Sequence, residues 1–249
     1  MTGFRLSGGG LVDRAADLNF TFDGKPFKGF AGDTLASALI ANDVHLMGRS
    51  FKYHRPRGVI SAGSSEPNAL VTLREGGWLE ANTRATMIEL YDGLVARSQN
   101  RWPSLDFDVG SVNSLASAFL VAGFYYKTFM WPKSFWEKIY EPIIRKAAGL
   151  GSASKEADPD KYEKAYAHCD LLVVGSGPTG LMAALTAARA GARVMLADES
   201  PALGGSLLNE QEEIGGMPGC EWATGVIAEL GSMPKVTLMP RTTIFGWYD

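Results

Sequence analysis

The chain has 249 residues, 46% of them hydrophobic, with 24 Lys and Arg against 27 Asp and Glu. That is enough polypeptide for one large domain or two ordinary ones, each able to bury a core. A net charge of -3 gives no molecule-wide field for nucleic acid or anionic lipid, so neither is expected as a partner.

The two cysteines, Cys169 and Cys220, have no further ligand at metal-binding spacing, although His168 adjoins Cys169. No metal site is expected, and a reduced cytoplasmic protein is the simplest reading. The opening MTGFRLSGGG lacks the basic-then-apolar order of a signal peptide. The most apolar stretch, residues 115–131, is broken by Lys127 and followed by Pro132, so no membrane span is expected there.

Residues 18–30, LNFTFDGKPFKGF, alternate apolar and polar side chains about Asp23-Gly24, the pattern of a β-hairpin. GDTLASALIANDV then predicts a helix with Asp33 or Thr34 as N-cap and Leu35, Ala38 and Leu39 on one face. Short strands are expected at 69–74 and 78–80, joined by Glu75-Gly76-Gly77. Hairpin, helix and further strands are the order of a β-grasp module, assigned to residues 1–100. Within it the basic run Arg49, Lys52, His54, Arg55, Arg57 is interleaved with Pro56 and Gly58, and reads as a solvated or subunit-facing loop.

Residues 101–165 predict an aromatic-rich helical connection, with Trp102, Phe119, Phe124, Tyr125, Tyr126, Phe129, Trp131, Phe135, Trp136 and Tyr140. Such side chains need a surface, either another domain or a partner subunit. After Gly149 the chain turns small and charged, and the main boundary is placed near that change. Residues 166–249 then form the second domain.

The apolar run LLVV leads into Gly175-Ser176-Gly177-Pro178-Thr179-Gly180 and on into the helical pattern LMAALTAARAGA. Glycines at that strand-to-helix turn have three uses: Gly175 for the tight turn, Gly177 for backbone approach to a pyrophosphate, and Gly180 for close helix packing. The helix N-terminus offers N–H groups and a positive dipole end, which Pro178 and Thr179 begin. About twenty residues on, a second strand ends at Asp198 with Glu199 beside it, where one acid meets ribose hydroxyls and repels a 2′-phosphate. Ser200 follows, and Gly205 and Ser206 sit on a second Gly-rich turn that approaches the phosphates. An adenine dinucleotide, NAD or FAD rather than NADP, is the expected ligand. No Ser/His/Asp, Cys/His or paired-carboxylate constellation appears, so no catalytic residue is assigned, and His45, His54 and His168 are scattered.

GSGPTG with VMLADESPALGGSL resembles the dinucleotide domain of the glutathione-reductase-type flavoproteins. RSFKYHRPRG, EPNALV, GFYYKTFMWP and RTTIFGWYD resemble the α subunits of heterotetrameric sarcosine oxidases over nearly the whole chain. The expected fold is therefore α/β and α+β: a ferredoxin-like but cluster-less β-grasp module, then a Rossmann-like FAD/NAD(P)-binding domain truncated at its C-terminus. The resemblance implies NAD bound to this chain without acting as oxidant, in a complex with β, γ and δ subunits. It further implies FAD in the β subunit, FMN at the interface with it, and electrons passed on to oxygen. Sarcosine and tetrahydrofolate would be substrates, and glycine, hydrogen peroxide and formaldehyde or 5,10-methylenetetrahydrofolate the products. In that setting Gly175, Gly177, Pro178, Thr179, Gly180, Asp198, Glu199, Ser200, Gly205, Ser206 and Ile244 would hold the nucleotide, Ile244 at the end of a third strand near adenine.

Two departures accompany the resemblance. GVISAGSSEPNALV carries serines and alanines where a two-iron cluster needs thiolates, so none is expected. The family's α subunits are also longer, with the rest of the nucleotide domain and a folate-binding domain, so the chain is read as a fragment or an early-terminated frame. The alternatives are a subunit of an FAD-dependent opine or amine dehydrogenase, and a non-catalytic assembly module.

Overall fold

A computed structural model describes residues 4–8, 10–120, 122–123, 129–147 and 149–248. The chain divides into two compact units, Met1–Asp160 and Lys161–Asp249.

In the first unit β1 (Asp13–Phe22) turns back into β2 (Lys25–Ala31) through Asp23 and Gly24, at φ of 50° and 76°. A two-residue hairpin turn of that handedness matches the twist of the strands it joins, which is why Asp-Gly suits it. Phe20 pairs with Phe27 across the hairpin and their rings stack at 5.7 Å. Helix α1 (Leu35–Ala41) follows, capped by Thr34: its hydroxyl accepts from the Ser37 N–H, and the Ser37 hydroxyl accepts from the Thr34 N–H. Asp33, the other candidate cap, is instead buried and accepts from Arg5, the Phe30 N–H and the Ser37 hydroxyl.

A minimal hairpin of β3 (Gly48–Arg49) and β4 (Pro56–Arg57) precedes β5 (Leu70–Leu73), β6 (Glu80–Arg84) and β7 (Leu94–Ser98). The sheet order is β2-β1-β7-β5-β6, with β7 parallel to β1 and antiparallel to β5. Phe20, Leu35, Leu39, Met47, Val71 and Leu94 fill the core between helix and sheet. The strand expected at 78–80 begins two residues later, because Gly76–Trp78 forms a 3-10 turn, and β7 was not foreseen.

Beyond the sheet a 3-10 helix (Val109–Ser114) and a π-turn (Trp136–Tyr140) lead to α2 (Glu141–Ala147). Trp102, Phe119 and Trp131 are 68%, 73% and 84% exposed, so the first unit does not supply the surface they were expected to need. Phe124, Tyr125 and Tyr126, and with them the middle of GFYYKTFMWP, lie outside the described residues. The following irregular segment is fastened to the sheet: the Gly151 N–H donates to Asn82, and the Trp78 indole donates to Asp160. Among the described residues no helix is long and apolar enough to cross a membrane.

In the second unit β8 (Leu171–Val174), α3 (Pro178–Arg189), β9 (Val194–Ala197), a small hairpin of β10 (Glu213–Ile214) and β11 (Met217–Pro218), α4 (Gly219–Ser232) and β12 (Val236–Met239) follow in order. The three longer strands form a parallel sheet in the order β12-β9-β8. Val173, Leu181, Leu185, Val194, Leu196 and Leu230 make a core where both helices cover one face. Alternation sends Leu172 and Val174 to the other face, where they are 44% and 63% exposed, and β8 stands at the end of the sheet. The third strand is thus β12, which stops at Met239, and Ile244 lies beyond it instead of at its end.

Candidate dinucleotide site

The site is built where β8 feeds α3. Gly175 adopts φ +95°, a conformation that L side chains rarely take, and its N–H donates to the Ala197 carbonyl at 2.8 Å, holding the turn to the end of β9. Gly177 is the N-cap of α3 and Pro178 its first residue, and no side chain caps the helix. Its first internal bond runs from the Leu181 N–H to the Gly177 carbonyl, which leaves the Thr179 and Gly180 N–H groups without intrahelical partners at the positive dipole end.

The glycines differ in what surrounds them. A Cβ on Gly177 would meet nothing within 4 Å, so the space over the turn is open. A Cβ on Gly180 would lie 1.9 Å from the Gly175 carbonyl oxygen, so helix and turn touch there. Gly205, at φ +55°, sits on the first turn: its Cβ would fall 2.7 Å from the Gly177 Cα.

Ser176 and Asp198 tie these loops together. The fully buried Ser176 donates its N–H (2.7 Å) and its hydroxyl (2.6 Å) to Asp198 Oδ2, and its hydroxyl oxygen accepts from the Gly204 N–H at 3.0 Å. Asp198 Oδ1 accepts from the Ser200 N–H at 2.8 Å. Burial alone would raise the Asp198 carboxyl, but the hydrogen bonds from Ser176 and Ser200 outweigh it and hold the group below its ordinary value. The Asp198 and Ser200 carbonyls accept from the N–H groups of Thr242 and Arg241, which brings the chain after β12 alongside.

Of the residues singled out in the sequence, Gly175, Gly177, Pro178, Gly180, Asp198, Ser200 and Gly205 are thus joined in one bonded or touching set. Thr179, Glu199 and Ser206 flank it as exposed side chains. Ile244 is 41% exposed and none of these contacts includes it. Ser176 was missed: the one signal for it was a hydroxyl between two glycines, one strand-helix-strand span before the acid.

In the first unit the loop after β4 closes on the buried Glu66, whose carboxylate accepts from the N–H groups of Ile60, Ser61, Asn68 and Ala69. His54 is buried against Asp108 at 2.5 Å, and the exposed His45 faces Asp43. Among the described residues no three His, Cys, Asp or Glu side chains gather to hold a metal.

Residues 15–101 match the family described as 2Fe-2S iron-sulfur cluster binding domain, and residues 170–218 match FAD dependent oxidoreductase. No cysteine precedes Cys169, and both histidines in 15–101 face carboxylates, so the residues present do not fit a two-iron cluster and the first likeness is one of fold. The crystal structure of L-proline dehydrogenase from P. horikoshii shares the fold, with a TM-score of 0.51 at 16% identity over 92% of this chain and 34% of that one. Sarcosine oxidase subunit alpha of Rhizobium meliloti is 65% identical over all of this chain, and that of a Corynebacterium species 35% identical over 97% of it. The chain spans 25% and 20% of the length of these relatives. A ferredoxin-like β-grasp module, an FAD-dependent oxidoreductase region after it, and identity along the full sequence together make the chain similar, from end to end, to the N-terminal part of sarcosine oxidase α subunits.

Proposed function

We propose that this chain acts as the α-type subunit of a sarcosine-oxidising complex and binds NAD at the turn between β8 and α3. The observation that carries the reading is the uncapped N-terminus of α3 beneath the open space at Gly177, with the acid Asp198 at the end of the neighbouring strand. The N–H groups of Thr179 and Gly180 would meet the pyrophosphate, and the Gly205 turn and Ser206 would close on it from the other side. Asp198 accepts from the N–H and hydroxyl of Ser176 and from the N–H and side chain of Ser200, and a carboxylate offers about four acceptor sites, so one ribose hydroxyl would take the place of the Ser200 side chain there. Glu199, exposed beside it, would take the second.

NAD in this role is a bound component rather than the oxidant. Amine oxidation at FAD, FMN at the contact with a β-type subunit, γ and δ partners, tetrahydrofolate as carbon acceptor and oxygen as electron acceptor all belong to the proposed complex, in the cytoplasm. The residues of this chain bind and orient, and none is assigned to the reaction.

The match of residues 170–218 to an FAD-dependent family favours a second reading, in which the same turn holds FAD. NAD and FAD share their ADP half, so the turn serves either. Denaturing the purified protein and identifying the released nucleotide by mass separates them. NAD supports the first reading, FAD the second, and peroxide formed from sarcosine by this chain alone with both nucleotides added would overturn the assignment of chemistry to partner subunits.

A further inference from the structure

The strand-end acid and the Gly-rich turn are usually regarded as two separate contacts for a nucleotide, one for ribose and one for phosphate. Here one buried side chain joins them. Ser176 has no exposure to solvent, and its hydroxyl reaches both Asp198 Oδ2 at 2.6 Å and the Gly204 N–H at 3.0 Å. Its own N–H adds a third bond of 2.7 Å to the same carboxylate oxygen. The hydroxyl therefore fixes three loops at once: the turn after β8, the end of β9, and the Gly204–Gly205 turn that presses on Gly177.

We propose that Ser176 is the positioning residue that sets the nucleotide preference of this site, by locking the Asp198 carboxylate in one orientation at the ribose. The inference rests on the reading that the turn binds an adenine dinucleotide. With Oδ2 taken by Ser176 and Oδ1 by the Ser200 N–H, the carboxylate cannot rotate without breaking a charge-assisted bond. A fixed, ionised acid accepts a free 2′-hydroxyl and repels a 2′-phosphate. An acid that loses the hydroxyl is held at Oδ2 by the Ser176 N–H alone, and about that single bond it can turn aside, at which point the repulsion relaxes. Ser176 touches no ligand in this scheme; it acts through Asp198 and Gly204.

The test is calorimetric titration of NAD and of NADP into the protein and into Ser176→Ala, with thermal unfolding of both followed by circular dichroism. Hydrogen exchange at Gly204 reports the clamp directly. The expected result is an NAD affinity reduced about tenfold in S176A while NADP changes by less than about threefold, because one charge-assisted bond is removed and the repulsion falls with it. The Gly204 N–H should lose protection while amides within β9 keep theirs. If S176A weakens NAD and NADP by the same factor, or changes only the melting temperature, Ser176 is structural and the proposal is wrong. If the parent protein takes up neither NAD nor NADP, the dinucleotide reading itself falls, and this role falls with it.

Discussion

Replacing Gly177 and Gly180 one at a time separates binding from folding, because the two glycines have opposite surroundings. Gly177 has φ -65° and ψ 178°, an extended conformation open to any residue, and a Cβ there meets nothing within 4 Å. For Gly177→Ala the loss of a good N-cap and the reduced freedom of the unfolded chain oppose each other at about 0.5–1 kcal/mol each, so stability should move by less than about 1 kcal/mol. That corresponds to a melting shift within about 5 °C for a unit of this size. The added methyl nevertheless occupies the space through which a pyrophosphate would reach the Thr179 and Gly180 N–H groups. Losing one charge-assisted bond costs about 1.5–3 kcal/mol, so NAD should bind roughly ten- to hundredfold more weakly, and Gly177→Val more weakly still. Gly180→Ala should do the reverse: its Cβ would sit 1.9 Å from the Gly175 carbonyl oxygen, and backbone displaced by overpacking costs about 1–3 kcal/mol or more. Thermal unfolding by circular dichroism and calorimetric titration of NAD read the two effects. If G177A binds NAD as tightly as the parent, the phosphates do not lie on this turn; if G180A melts with the parent, the contact between α3 and the turn is misjudged.

Asp198→Ala should weaken NAD roughly ten- to hundredfold and also lower the melting point, since the buried Ser176 N–H and hydroxyl lose their acceptor at about 1–3 kcal/mol; unchanged values in titration and unfolding would refute both roles. Glu66→Gln should destabilise the first unit by about 2–4 kcal/mol, measured by urea unfolding, because an amide NH2 would face backbone donors where an oxygen now accepts them. Burial would raise the Glu66 carboxyl, but the N–H groups of Asn68, Ile60, Ser61 and Ala69 prevail and keep it below its ordinary 4.5. The stability this contributes is present above the unfolded value and is lost as pH falls through the lower folded one, so the parent should weaken below about pH 4.5 while E66Q shows a flatter profile. Protein purified anaerobically should contain no stoichiometric iron or acid-labile sulfide, and finding both would show that ligands other than cysteine assemble a cluster.

Much of the frame was legible because it depends on local chemistry. Asp23-Gly24 and the alternation around it marked the first hairpin, and the pair Asp33-Thr34 marked the start of α1, of which Thr34 is the cap. The spacing of Gly175, Gly177 and Gly180 between an apolar run and a helical pattern marked the strand-to-helix turn between β8 and α3. What escaped depends on distant partners. LVARS, which forms β7, is short and becomes a central strand only through pairing with β1 and β5. Trp78 was read as strand, but Gly76, at φ +63°, starts a turn that ends on it. The third strand, VTLM, is four residues long and stops at Met239, before Pro240, so Ile244, expected at its end, lies beyond it. Glu66 gave no signal, since all four of its partners are backbone, and Ser176 owes its importance to an acid one strand-helix-strand unit away.

The uncovered face of the parallel sheet bears on how the protein behaves in the tube. Sheets of parallel strands are ordinarily covered on both sides, yet Leu172 and Val174 face outward from β8, and that strand closes the row with its outer backbone groups available to another chain. An apolar strand offering such an edge is a template for self-association. Light scattering should therefore rise with protein concentration, and a charged residue at Val174 should suppress that rise without disturbing the core, because Val173, not its neighbour, points inward.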